Sequence, residues 1–358
     1  MDLQPLIDRL AELPPGDHPF VSLYLDARPD QTGREKYHAF VRTELKARAG
    51  TYPEHSPARQ SVETDIEKIV AWLEREPRPQ ANGIAIFTCA AADFFEAVQF
   101  QAPLPHSEVF VGPAPHLYPL AAVADRYRRH AAVVLDTHSA RIFVFGLGEV
   151  MAEHAIESEA IPRSDAGGWS QARYQRHVEE FQKHHARDVA EALDRLVREE
   201  RVDRIVVAAN DVALPLLRAE LSKELAQRTL EVNELDVHSP RDQILRRSLE
   251  AAREQDARDD AERVRRVLDA YRAGGLGVVG VDATLRALAS GQVHELLIGA
   301  DPAGLRARDG RQGAEVADDL VAKARQTDAR VTFIEDHQLL ADAGGVGGLL
   351  RFRMRRAA

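Results

Sequence analysis

Apolar residues fall into two periodicities along the chain, and the elements they predict alternate from start to end. Phe20-Val21-Ser22-Leu23-Tyr24-Leu25-Asp26 is an aromatic and aliphatic run bounded by polar residues, which predicts a strand. A short helix and the helix-breaking Pro14-Pro15-Gly16 precede it. The polar stretch Arg28–Arg34 leads to a helix over about 35–49. Val62, Ile66, Ile69, Val70 and Leu73 recur at helical spacing and predict a second helix over about 57–76, stopped by Pro77. Strands follow at Gly83–Cys89, around Ala97–Ala102 and at Glu108–Val111.

The next stretch opens on Ala131–Asp136, an apolar strand, turned by Thr137-His138-Ser139 into the strand Ala140–Gly146 as a hairpin. A polar loop over Pro162–Ser170 then gives way to a long helix at about Gln171–Glu199. Its apolar stripe is Tyr174, Val178, Phe181, His185, Val189, Leu193 and Leu196; Arg173, Arg176, Glu180, Lys183 and Arg187 lie opposite. A strand at Arg204–Ala209 and a helix at Val212–Gln227 complete this part. Residues Arg241–Arg272 contain no Pro or Gly and read as one long helix, or as two with a polar break near Glu254–Asp260. Beyond them, Asp282 is expected to cap a helix ending at Ser290-Gly291. Strand Glu295–Ile298, helix Glu315–Thr327 and strand Arg330–Ile334 come next. Strand–helix alternation throughout predicts an α/β protein. Its expected domains are 1–128, 129–240 and 241–358.

Composition narrows the class. Of 358 residues, 44% are hydrophobic and 29% charged, an ordinary globular balance. No run approaches the roughly 20 apolar residues of a membrane helix. Met1–Leu13 carries Asp2, Asp8 and Glu12 and lacks the features of a secretory signal, so a cytoplasmic protein is expected. The single cysteine, Cys89, lies in an apolar run and is read as a buried strand residue, which leaves no internal disulfide. The net charge of −10 argues against a protein that coats nucleic acid by charge alone; RNA contacts would come from local patches.

Three motifs carry little chemistry. Gly275-Leu276-Gly277-Val278-Val279-Gly280 spells a dinucleotide fingerprint, but a helix precedes it and a strand follows, the reverse of what pyrophosphate binding needs. A helix stop followed by a tight turn into a strand is the better reading. His177, Glu180 and His184 share a helix face with the wrong spacing for a zinc helix, on a charged, solvated surface, and His185 falls on the apolar stripe. Gly168-Trp169-Ser170-Gln171-Ala172 lacks the last glycine and the strand of a hydrolase elbow. The same loop is nevertheless informative. Gly167-Gly168 admits many backbone shapes, and Trp169 either folds back on its domain or meets a partner.

Gly167-Gly168 followed by Ser170-Gln171-Ala172-Arg173-Tyr174 and a long helix resembles the Gly-Gly-Gln loop of the archaeal and eukaryotic class I peptide-chain release factors, the superfamily that includes Pelota. Gly280-Val281-Asp282-Ala283-Thr284-Leu285-Arg286-Ala287-Leu288-Ala289-Ser290-Gly291-Gln292-Val293 is similar to that family's C-terminal domain, as is the closing Gly344–Phe352. Val21–Asp30 is similar to the N-terminal domain of its bacterial members. The resemblance implies a three-domain release-factor-like architecture. Its middle domain would be ribonuclease-H-like, and its C-terminal αβα domain would resemble a ribosomal protein. It also implies the ribosome as partner, with rRNA and tRNA contacts, a translational GTPase as recruiter, and neither membrane nor DNA. Gln171 would place water against the peptidyl-tRNA ester, a catalysis of positioning without covalent nucleophile, cofactor or metal. Gly167 and Gly168 would let the backbone approach the tRNA end, Trp169 and Ser170 would line the contact, and Arg173 and Arg176 would touch phosphates. Trp169 and Ser170 break the strict motif by separating Gly168 from Gln171, and the first segment holds no Asn-Ile-Lys-Ser stop-codon motif. The expected activity is therefore ribosome rescue; the alternative is a non-catalytic hibernation or stress factor of the Balon type.

Overall fold

The computed structural model describes residues 2–29, 37–157 and 169–353, with side chains from Tyr174 onward in the helix that begins at Trp169. The chain divides into two compact units, Met1–Tyr127 with Ala257–Ala358, and Arg128–Asp256. Each mixes helices and sheet, and three sheets are present among the described residues, so the α/β class holds.

The N-terminal sheet has four antiparallel strands, β1 (Phe20–Asp26), β2 (Gly83–Cys89), β3 (Phe94–Phe100) and β4 (Glu108–Gly112), in the order β3-β2-β1-β4. Strand β2 is buried along its whole length and β1 at all but its last residue, which requires cover on both faces. Helices α2 (Tyr37–Ala49) and α3 (Pro57–Leu73) cover one face, where Leu23, Leu25, Ile84 and Ile86 meet Val41, Leu45, Val62 and Ile69. Ser56 caps α3 by accepting from the Arg59 amide at 3.2 Å, ahead of Pro57 in the first turn. The free Cys89 is buried, as expected. The short helices α1 (Gln4–Ala11) and α4 (Tyr118–Arg126) belong to the same unit.

The second unit holds β5 (His130–Leu135), β6 (Ser139–Gly146), β7 (Glu149–Glu157), β8 (Arg204–Ala209) and β9 (Thr229–Glu231), in the order β7-β6-β5-β8-β9. The first three form an antiparallel meander, whereas β8 is parallel to β5 and β9 to β8. The spatial order 3-2-1-4-5 with only the second strand reversed is the ribonuclease-H-like arrangement the resemblance implies. Helices α5 (Trp169–Glu199), α6 (Ala213–Glu220) and α7 (Lys223–Arg228) make the crossovers. Val133, Ile142 and Val207 pack with Val189, Leu193 and Leu196 of α5; on the other face Phe143 and Phe145 meet Ile244 of α8 (Arg241–Arg272). The segment expected as one helix over Val212–Gln227 is broken at Leu221, which is extended, and Ser222 caps α7 through the Leu225 amide at 3.2 Å. Residues 241–272 form a single helix without the polar break.

The C-terminal sheet contains β10 (Gly277–Val279), β11 (Val293–Gly299), β12 (Arg330–Ile334) and β13 (Val346–Leu350), ordered β10-β13-β11-β12, with α9 (Val281–Ala289) and α10 (Ala314–Gln326). Only β11 and β12 run parallel, joined through α10. Asp282 does not cap α9. Gly280, at φ 82°, occupies the cap and Asp282 falls in the first turn, its carboxylate accepting from the Arg308 amide at 3.1 Å. The expected tight turn into a strand is present at Gly275–Gly280. A Cβ on Gly277 would sit 2.3 Å from the Tyr271 nitrogen and 2.5 Å from the Val267 carbonyl, so this glycine lets β10 lie against the end of α8.

Within the first unit, Asp318 of α10 ties the two sheets together. One carboxylate oxygen accepts from the Leu117 and Tyr118 amides, both at 2.9 Å, closing the start of α4. The other lies 2.6 Å from Nδ1 of the buried His116. Tyr118 donates to the Gly299 carbonyl at 2.5 Å, and Asp125 accepts from the Phe333 amide at 3.0 Å.

Candidate functional site

The site argued from sequence lies at the start of α5. Gly167 and Gly168 fall outside the described residues. Trp169, Ser170, Gln171 and Arg173 occupy the first turns of the helix, which begins two residues before the expected Gln171; their side chains also fall outside what is described. Arg176 is exposed one turn further on. The backbone thus brings Trp169, Ser170, Gln171, Arg173 and Arg176 onto the first two turns of one helix.

What supports those turns is informative. None of residues 174–184 is buried, and burial begins at His185. At about 1.5 Å per residue, the helix axis runs roughly 24 Å from Trp169 to His185 before its side chains enter the core. Tyr174, Val178 and Phe181 are only half-buried. The apolar stripe is therefore real but shields a core only from His185 onward, through Val189, Leu193 and Leu196. Between Trp169 and Val178 the chain carries two arginines and no acidic residue, so this end of the helix is basic although the whole chain is acidic.

The turn between β5 and β6 buttresses the helix where burial begins. Asp136 accepts from the His138 and Ser139 amides, each at 2.8 Å, and from the Ser139 hydroxyl at 3.2 Å. Partial burial would raise its pKa, but these donors outweigh it and hold the carboxyl below its ordinary value. The His138 ring lies 6.0 Å from that of Phe181. His185 is pushed below the usual histidine pKa by burial, against the opposing pull of the Ser139 backbone and Asp136. A neutral imidazole results at pH 7, as a core histidine requires. The hairpin is legible in the sequence, and the Asp-x-x-Ser spacing marks its side-chain-closed turn, but the anchoring of the helix by that turn is not.

His177 and Glu180 are exposed, and His184 pairs with Asp188 at 3.5 Å. No group of His, Cys, Asp or Glu among the described residues is arranged to hold a metal ion. No helix among them is long and apolar enough to cross a membrane.

Residues 115–253 match the profile described as Bacterial archaeo-eukaryotic release factor family 10. None of the curated proteins compared matches the chain. Among solved structures, ribosome-bound archaeal Pelota, described together with ABCE1, aligns at 17% identity over 99% of this chain and 95% of its own, with a TM-score of 0.46. Pelota from Archaeoglobus fulgidus aligns at 16% identity over 76% and 80%, with a TM-score of 0.38. The archaeal translation termination factor aRF1 aligns at 18% identity over 98% and 97%, with a TM-score of 0.27.

Proposed function

We propose that this chain is a bacterial release-factor-like protein that binds the ribosomal A site and hydrolyses the peptidyl-tRNA ester in ribosome rescue, a reading supported by the match of residues 115–253 to the profile of bacterial archaeo-eukaryotic release factor family 10. The observation that carries the reading is the position of Gln171: in the first turn of a 31-residue helix whose following turns, 174–184, are nowhere buried. Its first turns, Trp169 to Val178, carry two arginines and no acid, which suits an approach to RNA phosphates. In this reading Arg173 and Arg176 contact tRNA or rRNA phosphates. Gly167 and Gly168 let the backbone approach the tRNA end, Trp169 and Ser170 line that contact, and Gln171 orients the attacking water. Catalysis comes from positioning at an activated ester carbonyl. The proposed division into domains 1–128, 129–240 and 241–358 assigns this helix to the middle one. The proposed setting is the cytoplasm, with a translational GTPase as recruiter.

A second reading rests on the two residues separating Gly168 from Gln171. If that spacing removes Gln171 from the ester, the same surface serves a non-catalytic hibernation factor. Peptide release from 70S ribosomes carrying peptidyl-tRNA, with co-sedimentation in parallel, separates the two. Rescue predicts release by the wild type and a loss of about 100-fold or more for Gln171→Ala, with binding retained. Binding without release by the wild type favours hibernation. Absence of binding to both empty and peptidyl-tRNA-loaded ribosomes overturns both readings.

A further inference from the structure

Among the described residues large apolar side chains are well sequestered, and three of the four conspicuous exceptions stand together. Tyr271 is 49% exposed, Leu276 44% and Phe352 49%; the fourth, Val212, belongs to the other unit. Tyr271 lies in the last turn of α8, Leu276 in the turn into β10, and Phe352 follows β13. Hydrogen bonds bring these segments to one corner. The Leu350 amide donates to the Leu276 carbonyl at 2.8 Å, Arg353 donates to the Gly274 carbonyl, and Gln292 donates to the Phe352 carbonyl at 3.2 Å. The close approach of Gly277 to the Tyr271 backbone sets the helix end beside the same turn.

The corner is basic as well as apolar. Arg272, Arg351 and Arg353 are all exposed. Arg351 donates to the Asp328 carbonyl at 2.6 Å and Arg353 to that of Gly274, so each guanidinium is oriented by a backbone carbonyl. Asp269 lies 3.8 Å from Arg272, and both partners are nearly two-thirds exposed, where such a pair is weak. Two exposed rings and an aliphatic side chain among three arginines, on a chain of net charge −10, form a local positive surface with stacking faces.

We propose that this corner binds single-stranded RNA. Phe352 and Tyr271 would stack on unpaired bases, Leu276 would pack against a base or sugar, and Arg272, Arg351 and Arg353 would hold phosphates. Stacking needs no base identity, so the site reads strand geometry and charge and is largely indifferent to sequence. An acidic protein segment would satisfy the arginines but leave the two rings without flat partners, which is why RNA is the better occupant. The inference is independent of Gln171. A chain that binds RNA here yet never binds ribosomes would sink the function proposed above and leave this one standing, and the converse would do the opposite.

The test is fluorescence anisotropy of the full chain with a labelled single strand of about 12 nucleotides, at salt of roughly 50 and 200 mM. Phe352→Ala and Tyr271→Ala should each weaken binding about tenfold. Phe352→Tyr should restore it, and Val212→Ala should leave it unchanged. Replacing Arg351 and Arg353 by Ala should lower the salt slope by about 1.4. All these side chains are exposed, so the variants keep their fold. Absence of RNA binding by the wild type, or binding that Phe352→Ala and Tyr271→Ala do not alter, overturns the proposal. So does a polyglutamate peptide that binds equally well and loses affinity in the same variants, since charge alone would then account for the surface.

Discussion

His130 makes a strong demand on pH. It sits on β5, 5% exposed, with Nε2 3.0 Å from the Ser248 hydroxyl, which in turn donates to the Leu245 carbonyl at 3.1 Å, and with its ring 5.3 Å from Phe145. Burial is the dominant cause that pushes its pKa from 6.5 down to about 4, against the pull of the Arg128 backbone and Asp256. The sign follows from linkage. The unfolded chain takes up this proton as pH falls through 6.5, while the folded chain resists until about 4, so stability is lost across that window. At 1.36 kcal/mol per unit the full loss is roughly 3 kcal/mol, and about 2 kcal/mol of it falls between pH 7 and pH 5. Other groups titrate there too, so the informative quantity is a difference. His130→Gln keeps a hydrogen-bonding side chain and removes the titration. Hydrogen exchange of peptides covering β5 reports the opening free energy of this sheet without requiring the whole chain to unfold in one step. The wild type should lose about 2 kcal/mol relative to His130→Gln on going from pH 7 to 5. A difference that stays constant across that range refutes the argument that the imidazole is held neutral by burial.

Two further outcomes test the first unit. Asp65 is fully buried, donated to by the Thr88 hydroxyl at 2.6 Å, and burial raises its pKa. A raised carboxyl pKa favours the folded state at low pH, an advantage lost as pH rises through the folded value, so the stability of Asp65→Asn relative to wild type should increase with pH; urea midpoints falling together at every pH would contradict this. Asp318→Ala strips two amides and the buried His116 of their acceptor and should cost about 2–4 kcal/mol in urea unfolding, while Asp318→Asn, which keeps one acceptor oxygen, should cost less; a loss within about 0.5 kcal/mol would show that the carboxylate does not join the sheets.

Long apolar runs were legible because both periodicities are strong in them. β1, β2, β5, β8 and β12 lie where alternation or continuous apolar character placed them, α3 and α5 where helical spacing did, and α8 where the absence of Pro and Gly did. Strand β7 was missed because it is an edge. Glu149–Glu157 has no buried residue, and its turn, Leu147-Gly148, adopts positive φ at both positions without the Asn-Gly signature that marks such turns. Helix α4 was missed because nine residues give too few turns for a period to show, and its start is fixed by Asp318, some 200 residues away. The same limit applied to Asp136: its helix-buttressing role depends on Phe181 and His185 arriving from another element, which no local pattern records.

The pairing of His116 with Asp318 spans 202 residues, and the whole second unit is encoded between them. Synthesis proceeds from the N-terminus, so the middle unit emerges entire while the N-terminal sheet still lacks the carboxylate that closes α4. Loop-closure entropy and chain order then set a sequence of events: the inserted unit completes first, and the outer one must hold an unfinished face in water until α10 has been made. Stop codons or stalls between 257 and 318 would release chains with a finished middle and an open outer unit, the species on which chaperones and proteases would act.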